Sequence, residues 1–100
     1  MNMQQMMAQA QKMQRELKKA QAELAAKEFV VSKGGAVTVT VYGSKQVKSV
    51  SIDADAFDVD NKDMVEEMIA LAINEAIEQI EAEAEAINER ITGQRGGFGF

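Results

Sequence analysis

FVVSKGGAVTVTVYGSKQVKSVSI, residues 29–52, is the stretch in which the apolar period becomes two. Val37, Val39 and Val41 alternate with Thr38, Thr40 and Tyr42, so one side of an extended segment is apolar and the other mixed. Phe29-Val30-Val31 before it is rich in β-branched residues, and Gly34-Gly35 between the two runs reads as a hairpin turn. Gly43-Ser44-Lys45 forms the next turn. Val47 to Ile52 then supplies a third strand, with Val50 and Ile52 on one face. The reading is a three-stranded antiparallel meander with one apolar face.

Outward from this meander the period is helical on both sides. Met3, Met6, Ala10, Met13, Leu17, Ala20 and Leu24 recur at alternating intervals of three and four, the spacing of a coiled-coil seam. The residues between them are good helix formers, and nothing breaks the run before Phe29. After the acidic loop Asp53–Asp60, a second helix begins near Asn61, with Asp63-x-x-Glu66 expected as a capping box. It ends at Thr92-Gly93. Its first half is broadly apolar, and its second half narrows to Ile77, Ile80, Ala84, Ile87 and Ile91. The expected organisation is one α+β domain over residues 1–92, helix – three-stranded antiparallel meander – helix, with residues 93–100 as a flexible Gly/Phe tail.

A six-residue strand spans about 20 Å, whereas the first helix is about 40 Å long. The sheet therefore covers only part of each helix, and the seams continue beyond it. Exposed seams cost roughly 25 cal/mol per Å² of apolar surface. A homodimer with paired, protruding helices is the expected solution, its helix or dimer seam drawn from Met6, Met13, Leu17, Leu24, Ile80 and Ile87.

Composition excludes much chemistry. The chain has 100 residues, no Cys and no His, so thiolate and Ser–His chemistry and His/Cys zinc sites are all absent. Asp53-x-Asp55-x-Phe57-Asp58-x-Asp60 fails the calcium-loop pattern at Phe57, at Asp58 where glycine is required, and at Met64. Lys33-Gly34-Gly35 lacks the rest of a phosphate-binding loop. No enzyme activity, metal, cofactor or small-molecule substrate is expected. No run approaches the roughly 20 apolar residues of a membrane span, and a cytoplasmic location follows as the expectation.

The net charge of −5 is unevenly spread: residues 1–28 are net +2, residues 29–52 net +3 and residues 53–100 net −10. With Met3 and Met6 at the first and fourth heptad positions, Lys12, Arg15, Lys18 and Lys19 all fall opposite the seam. Glu16 and Glu23 fall beside it. This segregation makes a basic ridge suited to phosphates, and those four cations are the candidate DNA contacts. The second helix presents acids at Glu78, Glu81, Glu83, Glu85 and Glu89. The Met-rich start reads as a helix seam before it reads as an adaptable binding surface. Arg95-Gly96-Gly97-Phe98 is a single copy of an arginine–glycine motif, a weak signal for RNA.

The segments Met6-Met7-Ala8-Gln9-Ala10-Gln11-Lys12-Met13-Gln14, Val37-Thr38-Val39-Thr40-Val41-Tyr42-Gly43 and Val50-Ser51-Ile52-Asp53 are joined by two more in the same order. These are Asn61-Lys62-Asp63-Met64-Val65-Glu66-Glu67-Met68-Ile69 and Ala72-Ile73-Asn74-Glu75-Ala76. Together they resemble the YbaB/EbfC family of bacterial nucleoid-associated proteins over nearly the whole chain. The resemblance implies a tweezer-like homodimer in the nucleoid that binds double-stranded DNA with limited sequence preference and alters its conformation, with effects on gene expression. Two other readings fit helix–hairpins–helix: a prefoldin-like chaperone whose arms hold unfolded chains, and a protein adaptor of DNA-repair or replication machinery.

Overall fold

The computed structural model describes residues 2–93. Helix α1 spans Met3–Ala26 and strands β1, β2 and β3 span Glu28–Lys33, Val37–Tyr42 and Val47–Ile52. Two short 3₁₀ turns, Ala54–Ala56 and Val59–Asn61, lead into helix α2, Lys62–Thr92. The tail expected over residues 93–100 lies outside the described residues except for Gly93.

The sheet is the expected antiparallel meander in the order β1-β2-β3. Gly34 and Gly35 turn the first hairpin with φ of 58° and 65°, a region that costs a side-chain-bearing residue roughly 1–2 kcal/mol. Phe29, Val31, Val37, Val39 and Val41 form the buried face, and α2 crosses it over β1 and β2. Val65, Ala72, Ala76 and Ile80 of α2 complete the core. Ala72 and Ala76 are fully buried, and their small side chains let the helix axis approach the β2 valines.

Beyond the sheet, α2 continues and pairs with α1. Ala20 and Leu24 are buried with Ile80 and Ile87, and Leu17 and Ile91 pack against the same cluster. Thr92, at the end of α2, shares a small cleft with Ala10, Met13 and Leu17, so the helices run antiparallel. The molecule is drawn out to 69 × 26 × 15 Å, with a radius of gyration of 19.0 Å against about 13 Å for a compact chain of this length. From Met13 onward the seam of α1 packs against α2 of the same chain. Among the described residues, none packs over the first two turns of α1, where Met3, Met6 and Met7 are exposed.

The helix ends differ from expectation in one respect. Asp63 and Glu66 form no capping box: α2 is capped by Asn61 without a side-chain hydrogen bond, and Glu66 pairs with Lys62 at 2.9 Å. A capping box closes α1 instead, where the Gln5 N–H donates to Asn2 Oδ1 at 2.8 Å and the Asn2 N–H donates to Gln5 Oε1 at 3.3 Å. The C-terminus of α2 behaves as expected, with Gly93 in the left-handed region at φ 72° and Arg90 in the last turn.

Candidate nucleic-acid interface

Helix α1 is exposed along its outer side, and Lys12, Arg15, Lys18 and Lys19 all lie there in solvent. They occupy about 10 Å of helix axis. Lys12 reaches Glu16 at 4.0 Å, one turn on, a contact worth at most a few tenths of a kcal/mol at such exposure. Arg15, Lys18 and Lys19 make no ion pair among the described residues.

The cations near the sheet are placed differently. Lys27 meets Glu83 at 2.7 Å, Lys33 meets Glu75 at 2.7 Å and Lys45 meets Glu81 at 3.4 Å, so three lysines pin the meander and the end of α1 to α2. Lys48 crosses the outer face of the sheet to Glu28 at 3.0 Å and lies 5.8 Å from the centre of the Tyr42 ring. Its hydrogen bond to Glu28, with the charge of that carboxylate, holds the Lys48 ammonium above its ordinary pKa. The acidic side of α2 is therefore partly neutralised from within the chain, and its net field is weaker than the run of glutamates suggests.

One further cation sits with the ridge. Arg90, read in the sequence as a helix-dipole residue, lines a cleft of about 290 Å³ with Lys19, Glu16 and Glu23 between α1 and α2. No spacing rule links residues 19 and 90; only the antiparallel helix pair brings them together.

The six seam residues separate into classes. Leu24, Ile80 and Ile87 are buried and Met13 and Leu17 half-buried, all in the intrachain helix pair, while Met6 is 57% exposed. Apolar surface is also left on the other side of the molecule. The register sets Val50 opposite Val39 and Ile52 opposite Val37, and a bulge between Thr40 and Val41 brings Val47 opposite Val41. All three consequently share the core face, yet α2 scarcely reaches β3, and Val47 and Val50 remain 42% and 43% exposed. Ile52 continues into a largely apolar cleft of about 410 Å³ with Phe57, Val59, Val65 and Ile69.

The acidic loop is occupied with its own backbone. Asp53 accepts from the Asp55 N–H at 3.1 Å and Asp58 from the Asp60 N–H at 2.8 Å, each capping a 3₁₀ turn. Among the described residues no group of three or more carboxylates converges as a metal site, and no helix is long and apolar enough to cross a membrane.

Residues 1–95 match the sequence model of the YbaB/EbfC DNA-binding family. The chain belongs to the YbaB/EbfC family. A nucleoid-associated protein of Clostridium novyi is 42% identical over 94 residues, covering 93% of this chain and 82% of that protein. One from Enterococcus faecalis is 40% identical over 98 residues, covering 97% and 94%. A crystal structure of an uncharacterized protein from Helicobacter pylori superposes with a TM-score of 0.75 at 18% identity, covering 93% of this chain and 99% of that one. That likeness fixes the fold: helix, three-stranded antiparallel sheet and long helix is a YbaB-like arrangement. The YbaB/EbfC family is a DNA-binding family and not a class of enzymes.

Proposed function

We propose that the protein acts in the bacterial nucleoid as a homodimer that binds double-stranded DNA through its phosphates, with little sequence preference, and alters the shape of the duplex, with effects on gene expression. The observation that carries this reading is the division of the cations. Lys27, Lys33, Lys45 and Lys48 are each matched to a glutamate within 3.4 Å, whereas Arg15, Lys18 and Lys19 on α1 have no such partner among the described residues. Unmatched cations aligned on a rigid helix present a steady field to a phosphate backbone. The ridge has no aromatic side chain to stack on a base, which favours duplex over single strands.

The exposed strip of β3 supports the dimer reading as the surface on which a second copy would sit. Val47 and Val50 on β3 and Phe57 and Val59 after it are apolar and exposed among the described residues, with the half-buried Ile52 and Ile69 near them. Two such strips facing each other would remove both from water and leave the helix pairs free as arms.

The test is binding of random and chosen 30-base-pair duplexes to the parent and to a Lys12→Gln, Arg15→Gln, Lys18→Gln, Lys19→Gln variant. The parent is expected to bind all duplexes alike, and the variant to lose most of that affinity while remaining folded. Equal binding by the two proteins at every salt concentration would reduce the ridge to a solvated face. Suppression of aggregation of an unfolded client by the parent, without duplex binding, would transfer the assignment to the chaperone reading.

A further inference from the structure

Over residues 10–24, helix α1 meets α2 along one side, the side of Met13, Leu17, Ala20 and Leu24. Helical angle decides how the cations stand on the other. Successive residues turn by about 100° round the axis, so Lys18 stands about 60° to one side of Arg15, and Lys19 and Lys12 about 40° and 60° to the other. Arg15 is thus the crest of the ridge and the lysines are its two flanks. Two turns along the crest in either direction come Ala8 and Ala22, too short to hold a neighbouring surface away. All six residues are exposed, and Arg15, Lys18 and Lys19 make no ion pair among the described residues. Glu16 and Glu23 turn away from the crest by about 100° and 80°, into the cleft that they line with Arg90.

This outline fits one groove of a duplex. The flanking ammonium groups can reach about 12 Å apart across the helix, and the major groove of B-form DNA is about 12 Å wide against about 6 Å for the minor groove. A helix laid there with Arg15 toward the floor brings Lys18 to the phosphates of one strand and Lys12 and Lys19 to those of the other. The alanines at either end of the crest let the axis descend. A guanidinium on the floor can then donate two parallel hydrogen bonds to guanine O6 and N7, a match of shape that a phosphate wall does not require.

We infer that α1 enters the major groove, with its lysines on the two phosphate walls and Arg15 donating to guanine O6 and N7. This rests on the duplex-binding reading and adds to it the groove and one base-reading residue. Nearly every stretch of mixed sequence offers a guanine, so a single such contact on each arm leaves random duplexes bound almost alike.

The experiment measures binding of the full chain to duplexes of one mixed sequence with modified bases. Replacing guanine by 7-deazaguanine removes the N7 acceptor and leaves base pairing intact, and the parent should bind that duplex roughly fivefold more weakly. Glucosylated 5-hydroxymethylcytosine fills the major groove with sugar and should weaken binding by more than about tenfold, whereas netropsin in the minor groove should not displace the protein. Arg15→Ala suits a helix, and this variant should bind more weakly overall and no longer tell guanine from 7-deazaguanine. A parent blind to 7-deazaguanine, or an Arg15→Ala protein that still tells the two bases apart, overturns the base contact of Arg15. A parent indifferent to the glucosylated duplex, or displaced by netropsin, overturns the major-groove placement while duplex binding stands. No binding to any duplex overturns both this inference and the reading it rests on.

Discussion

Gly43→Ala isolates the joint on which the position of α1 depends. Gly43 begins the turn between β2 and β3, and its N–H donates to the Lys27 carbonyl at 2.8 Å while the Ser44 N–H donates to the Ala25 carbonyl at 3.2 Å. A Cβ at residue 43 would lie 1.8 Å from the Leu24 carbonyl oxygen, 2.6 Å from its carbonyl carbon and 3.2 Å from Leu24 Cγ. Two of these atoms are backbone, so no rotamer change relieves the clash, and the turn must separate from the end of α1. Two backbone hydrogen bonds at about 1 kcal/mol each are then lost, with about another 1 kcal/mol from loosened burial of Leu24. A loss of about 3 kcal/mol corresponds to a fall in Tm of roughly 12–24 °C for a domain of this size. Gly35→Ala is the control: φ is 65° there but nothing lies within 4 Å, so only backbone strain of about 1–2 kcal/mol is incurred. Thermal melting followed at 222 nm, with amide exchange at Gly43 and Ser44, reads both effects. A Gly43→Ala protein melting at or above the Gly35→Ala protein would show that the joint yields, and would refute the close approach as a determinant of the arm's position.

The ridge length sets a salt dependence: about 10 Å of axis faces about three phosphates of one strand, giving a slope near −5 in log K against log salt for two arms and near −3 for one. Anisotropy titrations between 50 and 200 mM salt separate these from a slope near zero, which would exclude phosphate contact. Glu78→Lys with Glu85→Lys should tighten duplex binding several-fold by removing exposed acids that make no ion pair among the described residues. Glu81→Lys or Glu83→Lys instead sets a second cation against Lys45 or Lys27 and should cost up to about 1 kcal/mol in urea unfolding. Val50→Asp, placed in the uncovered β3 strip, should give a folded monomer by sedimentation, whereas an unchanged dimer would place the interface elsewhere. EDTA or Ca²⁺ should shift Tm by less than about 2 °C, and a rise above about 10 °C would reveal a site in residues 53–60.

The helix–meander–helix order was legible because the period changes at Phe29 and again near Asn61, and because Gly34-Gly35 between two β-branched runs can take the positive φ that a tight hairpin needs. The partner of the α1 seam was not legible. Spacing by three and four marks Leu17 and Leu24 as one face, but it does not say whether Ile87 of the same chain or of another fills it. The bulge opposite Thr40 and Val41, which leaves Lys48 as an extra residue between Val47 and Ser49, was hidden too: Val47 and Val50 are three apart, so strict alternation puts them on opposite faces, and only that extra residue brings both inward. Pairs such as Lys27–Glu83 join residues 56 apart in sequence, with no local pattern to announce them. The ridge itself is a matter of helical angle, so its place on α1 followed from numbering alone, and the neighbourhood of Arg90 did not.

The antiparallel pairing of the first helix with the last has a consequence during synthesis. Leu24 leaves the ribosome well before Ile80 and Ile87, the residues it is buried with. At about 5–20 residues per second, α1 waits several seconds for its apolar face to be covered, while the meander can form its hairpins as soon as they emerge. During that interval the nascent chain shows its methionines and leucines to the cytosol, flanked by the same lysines and arginine that later face outward. Like charges on neighbouring unfinished copies repel one another, so the cations of α1 oppose contact between exposed seams until α2 has been made.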